Sequence, residues 1–138
     1  MDGSLAEVLR GNAEVFSSVV EDRYGVELTH DHGGVLQLER FLNTRREDLD
    51  ANALAGLVDL AGSFLGECIL AVHGGAWFEG PAHPQVELKA GGLADPLWMV
   101  ESHLRYRAAY SVSVLFDAIG ATARVRVGGL YSVPNDSG

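Results

Sequence analysis

A chain of 138 residues, 47% hydrophobic and 21% charged, has the size and composition of one folded globular domain, too short for two cores and too apolar for a disordered segment. Nineteen acidic against ten basic side chains give a net charge of -9 and a pI near 4.8, which argues against nucleic acid as a partner, because phosphate contacts need clustered Lys and Arg. The nearest basic pair, Arg45-Arg46, is followed at once by Glu47-Asp48.

The opening MDGSLAEVLR has an early acidic residue and no apolar h-region, so no signal peptide is expected and the cytoplasm is the default compartment. No unbroken apolar run approaches the roughly 18 residues of a spanning helix, so no membrane is expected either. The lone cysteine, Cys68, falls on an apolar helical stripe and reads as a buried, inert thiol.

In chain order, Leu5, Val8, Leu9, Val15, Phe16, Val19 and Val20 recur at helical spacing and predict a first helix from Leu5 to Tyr24. Ser4 is its expected N-cap, Glu7 completes a capping box, and Gly25 is the stop. A short connection, Leu28 to His32, leads to a second helix from Gly33 to Arg46 with Val35, Leu38, Phe41 and Leu42 as its apolar face; Thr29 or Asp31 is expected to cap it. Glu47, Asp48 and Asp50 complement the dipole at the start of a third helix that runs to Val72. Its stripe is Leu54, Leu57, Val58, Ala61, Phe64, Leu65, Cys68, Ile69 and Val72. The opposite side carries Asp59, Gly62, Ser63, Gly66, Glu67 and Leu70, and two helical glycines there imply that another backbone comes close.

Gly74-Gly75 ends that helix, and the pattern changes to short strands. Trp77-Phe78 opens one, Gly80-Pro81 and Pro84 turn it, Val86 to Lys89 alternates as a second, and Gly91-Gly92 leads to a short third before Asp95, giving an antiparallel meander. Pro96 starts a further helix with Leu97, Val100, Leu104 and Ala108 on its face. Residues 110–119 fit either a strand (Tyr110, Val112, Val114, Phe116) or a helix (Val112, Leu115, Phe116, Ile119, capped by Ser111); the helix is preferred. Residues 123–133 could pair as a weak hairpin about Gly128-Gly129, and 128–138 read as a flexible tail. The expected architecture is α+β: a helical amino-terminal half packed on a small antiparallel sheet, with one or two carboxy-terminal helices, in one domain over residues 1–127.

No nucleophile elbow, phosphate loop, H-E-x-x-H or paired-cysteine pattern occurs in the chain. The densest polar cluster is Glu67, His73 and Trp77 with the turn glycines Gly74 and Gly75. Glu67 has two readings: a structural pin between helix and strand that takes an Arg or backbone N–H as partner, or a general base in a cleft. His73 suits a helix carboxyl end, and Trp77 suits a core-covering ring with one partner for its N–H. His30-x-His32 around Asp31 suggests a weak metal pair, whereas a metal site needs three or four converging ligands. Arg105, Tyr106 and Arg107 form a mixed surface patch, and Trp98 is a second isolated aromatic.

Gly62, Phe64, Gly66 and Glu67, followed by Gly74, Gly75 and Trp77 and later by Pro96, carry a resemblance. Over Val26 to Ile119 the chain resembles an uncharacterised bacterial family of small helix-plus-sheet domains with a Gly-x-aromatic-x-Gly-Glu motif followed by Gly-Gly-x-Trp. The resemblance implies an α+β fold and no activity. Phe64 stands where the family more often has Tyr, and Glu101, Ser102 and His103 stand where basic residues are usual, so a site hydroxyl and part of a basic cluster are lacking here. The expected function is a non-enzymatic protein-binding module of an accessory or immunity-like kind, with no cofactor and an open oligomeric state that allows a homodimer. The alternative is a small-molecule or metal-binding protein or hydrolase using Glu67 and His73, or His30 and His32.

Overall fold

The computed structural model describes residues 2–45, 49–106 and 111–119. The third helix, α3 (Ala51–His73), is the element that most others touch: α1 (Asp2–Tyr24), α2 (His32–Arg45), α4 (Pro96–Tyr106) and two strands all pack on it. Its start follows from Asp50, whose extended backbone and side-chain acceptance of the Ala53 N–H at 2.8 Å make it the N-cap. Its end follows from Gly74, which adopts φ 77° and donates its N–H to the Leu70 carbonyl at 3.0 Å.

The predicted stripe of α3 is buried from Val58 through Ala61, Phe64, Leu65, Cys68 and Ile69. Gly62, Ser63 and Gly66 on the other side are buried as well, so the helix is covered on two sides. Val72 departs from the prediction: at the last turn of the helix it is 47% exposed. By length and mean hydropathy, 23 residues with an 18-residue window at 1.7, α3 would also suffice to cross a membrane. An unbroken-run criterion misses this because Gly, Ser and Glu interrupt the apolar residues. Half of that window is buried inside the protein.

The first helix begins at Asp2, three residues before the predicted start. Ser4 therefore lies inside the helix, which corrects its assignment as N-cap, since a cap must have non-helical backbone. The end is as expected: Gly25, at φ 67°, donates to the Glu21 carbonyl at 2.8 Å. Only part of the apolar set of α1 faces inward. Leu9, Ala13, Phe16 and Val20 are buried, whereas Val8, Val15 and Val19 are 60%, 50% and 48% exposed. In α2, Asp31 is the cap, accepting the Gly34 N–H at 3.0 Å and the Thr29 hydroxyl at 2.6 Å. Phe16 forms the centre of the helical layer, edge-on to Phe41 at 5.3 Å and tilted against Phe64 at 5.4 Å.

Strands β1 (Gly75–Glu79), β2 (Pro84–Leu88) and β3 (Leu93–Ala94) form the predicted antiparallel meander in the order β1-β2-β3. Trp77 pairs with Val86 and Val86 with Ala94, so the three share the face that packs on the helices, and Val86 is fully buried. Asp95 joins sheet to helix: Oδ1 accepts the Trp98 N–H at 3.0 Å, capping α4, while Oδ2 accepts from Gln85 at 3.2 Å. Residues 112–119 are helical, with Ser111 Oγ accepting the Val114 N–H at 3.4 Å and Val112 and Phe116 buried. Among the described residues this gives an α+β fold of five helices and one sheet, with helices in both halves. Arg46, Arg107, Ala108, the 123–133 hairpin and the 128–138 tail lie outside the described residues.

Candidate functional site

The joint between α3 and β1 brings most of the motif residues together. The Trp77 indole lies on Gly66, where its ring occupies the place that a Cβ would take. The ring can reach that position because β1 leaves α3 after the left-handed Gly74, which folds the strand back along the helix. From there the indole Nε1 donates to Glu67 Oε2 at 2.9 Å. Glu67 is half-buried, and its partner is neither the Arg nor the backbone N–H that the sequence suggested. One turn earlier, a Cβ on Gly62 would come within 2.7 Å of Leu97 Cγ, so this glycine admits α4. Gly75 faces the Glu87 carbonyl of β2, and the Gly74 carbonyl accepts the Lys89 N–H at 3.2 Å. Gly62, Gly66, Glu67, Gly74, Gly75 and Trp77 thus form a packed joint.

His73 is turned to a different neighbour. Its ring packs on Phe116 of the 112–119 helix at 4.9 Å between centroids and 54° between planes. His30 and His32 diverge too. The His30 ring lies 5.3 Å from Phe64, while His32 Nδ1 meets Asp117 Oδ1 at 3.1 Å on the surface. Asp31, between them, caps α2, and the Thr29 hydroxyl and then the Gly34 N–H hold its carboxyl below the ordinary value. Among the described residues no group of three His, Cys, Asp or Glu side chains is arranged to hold a metal ion. Cys68 is fully buried; burial first, then the charges of Asp31 and Glu67, push its thiol up to about 12.

A polar network absent from the sequence reading joins α2, α4 and the 112–119 helix. Glu39 Oε1 accepts the Ser111 hydroxyl at 2.7 Å and the Ser113 N–H at 3.0 Å. Burial raises the Glu39 carboxyl, but the Ser111 and Ser113 hydrogen bonds and the nearby His103 outweigh it, so the group sits below its ordinary value. The buried His103 accepts the Val112 N–H on Nδ1 at 3.2 Å, which places its proton on Nε2, 2.7 Å from Asn43 Oδ1. Serine, histidine and glutamate are all present, but the His103 nitrogen meets a backbone N–H where nucleophile activation would need the serine hydroxyl. What the network does is seat one helix on two others. Its sequence signal was limited to Ser111 as a cap; Glu39 lies 72 residues away and carried none.

At the surface patch, Arg105 Nε donates to Glu101 at 2.8 Å within α4, and Trp98 and Tyr106 are 42% and 58% exposed. No family model, curated protein or solved structure matches the chain.

Proposed function

We propose that this chain is a non-enzymatic protein-binding module, of an accessory or immunity-like kind, acting in the cytoplasm. The observation that carries the reading is the outer face of α1. At 100° per residue Val8, Val15 and Val19 fall within an arc of about 40°, a second apolar stripe beside the buried one. All three are about half-exposed, and Gly11 and Asn12, between them on the same side, leave a low surface. An aligned apolar stripe rimmed by polar residues is what an amphipathic partner covers.

Supporting it, the groups that chemistry would draw on are engaged in separate packing contacts: Glu67 with Trp77, His73 with Phe116, His30 with Phe64 and His32 with Asp117. The alternative, a small-molecule or metal-binding protein or hydrolase that uses Glu67 and His73, or His30 and His32, would need the two members of one of these pairs to converge on a common point. The family resemblance adds no activity to the proposal.

The test compares wild-type protein with the Val8→Ser, Val15→Ser, Val19→Ser variant, each immobilised and exposed to native lysate. A protein retained by the wild type and lost with the variant, at unchanged circular dichroism, is the expected result. Identical retention by both, or retention of nothing by the wild type, sinks the reading.

A further inference from the structure

At the carboxyl end of α1, on a surface separate from the valine stripe, the chain turns at Gly25 and leaves a groove against α2. The groove measures about 320 Å³, at the low end of the range for small-ligand pockets. Val20, Val26 and Phe41 supply apolar lining, and Tyr24, Gln37 and Arg40 supply polar atoms. Val20 and Phe41 belong to the core, and the Tyr24 ring stands edge-on to Phe41 at 5.9 Å. The walls are therefore set by packing that exists without a ligand.

Charge gives the groove a direction. The chain carries ten basic residues and a net charge of -9, yet Arg40 lines this groove, Arg45 lies over the Phe41 ring that also lines it, and Arg23 is the next residue before the lining Tyr24. The Arg45 guanidinium rests over the Phe41 ring at 5.3 Å, a cation–π contact, and has no ion-pair partner among the described residues. Arg40 has no ion-pair partner among the described residues. Three carboxylates, Glu21, Asp22 and Glu27, share this stretch of chain with Arg23; none of them lines the groove, and Glu21 accepts the Leu28 N–H at 3.0 Å. The Tyr24 phenol senses the field: the Thr44 hydroxyl first, and then Arg45 and Arg23, hold it below its ordinary value against the opposing effect of burial.

An apolar groove with a cationic rim, in a protein whose overall field repels anions, calls for one chemistry: a hydrophobic body that carries a negative charge at one end. We propose that the groove binds a small organic acid, an aromatic or branched aliphatic carboxylate, with its body on Phe41 and Val26 and its carboxylate at Arg40. The small volume favours a free acid over a peptide segment. An arginine fork suits the carboxylate because it can donate two parallel hydrogen bonds.

The test is a titration of 15N-labelled full-length protein with 3-phenylpropionate and with 4-methylpentanoate, followed by amide shifts, with 3-phenylpropanamide as the uncharged counterpart. Saturable shifts confined to Tyr24, Gln37, Arg40, Phe41 and Thr44 are expected. An ion pair on a half-open rim makes the acid bind roughly two- to fivefold more tightly than the amide. In Arg40→Gln, an exposed substitution whose fold the same spectra report, acid and amide should bind alike. Absence of saturation with both acids, equal binding of acid and amide by the wild type, or an unchanged preference in Arg40→Gln overturns the proposal. Tighter binding of an acetylated Phe-Glu dipeptide amide than of either free acid also overturns it, in favour of a peptide occupant. The three valine substitutions on α1 leave this groove intact, so the two proposals fail independently.

Discussion

Gly66 has no room for a side chain because the Trp77 ring already fills the place of its Cβ. Replacing it by Ala gains up to about 1 kcal/mol of helix propensity and loses about 1–3 kcal/mol to overpacking, and displacing the indole also breaks its bond to Glu67. Gly66→Ala is therefore expected to lower stability by about 1–2 kcal/mol in urea unfolding. Gly56, on the same helix, meets open space, and Gly56→Ala should raise stability by about 0.5–1 kcal/mol. If Gly66→Ala raises the midpoint as Gly56→Ala does, the close-packing account of Gly66 is wrong. Cys68 gives a second check at this scale. With its thiol pushed up to about 12 and its side chain sealed, almost none of it is thiolate near neutrality. A disulfide reagent at pH 8 should leave the folded protein unmodified and label one thiol per chain once urea has unfolded it.

Helix starts here are set by carboxylates and hydroxyls that satisfy backbone donors: Asp31 for α2, Asp50 for α3, Asp95 for α4 and Ser111 for the 112–119 helix. The last of these has a further anchor, since Glu39 of α2 accepts the Ser113 N–H across the interface. That anchor is pH-dependent, with a definite sign. The folded carboxyl sits below its ordinary value of 4.5, so the folded state binds fewer protons than the unfolded chain in the acid range. The stability it contributes is complete above 4.5 and is lost as the pH falls through the lower, folded value. Glu39→Gln should therefore be less stable than wild type at pH 7, and the two urea midpoints should approach each other as the pH falls below 4.5. A constant difference from pH 7 to pH 3 would show that Glu39 does not act through its charge.

At the scale of the whole molecule, α3 organises the fold, and the length and hydropathy that suit it to a core would also suit a membrane. The contacts around it favour the core. Phe64 is fully buried between Phe16 and the His30 loop, and Phe64→Ala should cost about 3–5 kcal/mol, as removing a core aromatic does. The wild-type chain should stay in the supernatant after high-speed centrifugation of a detergent-free lysate; recovery in the membrane pellet would mean that α3 is not spent on the core. The order of helices and strands could be read from the residues, because caps, glycine stops and hydrophobic spacing act within a few residues of chain. So could the crowding at Gly62 and Gly66, although the backbone neighbour expected at both is met only at Gly62, by Leu97 Cα; at Gly66 the Trp77 side chain fills the space. Other features could not. Val8 and Val20 look alike along α1, yet only the packing of α3 on one side of that helix decides which is buried. His30 and His32 are two residues apart and look like a pair, but Phe64 and Asp117 draw them in different directions. Sequence alone determined most of the elements and their joint at Gly74, since those rest on local backbone energetics, whereas residues 112–119, whose spacing suits strand and helix alike, are a helix that buries Val112 and Phe116. Tertiary structure decided which apolar stripe faces water, what Glu67 and Glu39 hold, and where three arginines gather, because each of those depends on residues far apart in the chain meeting in space.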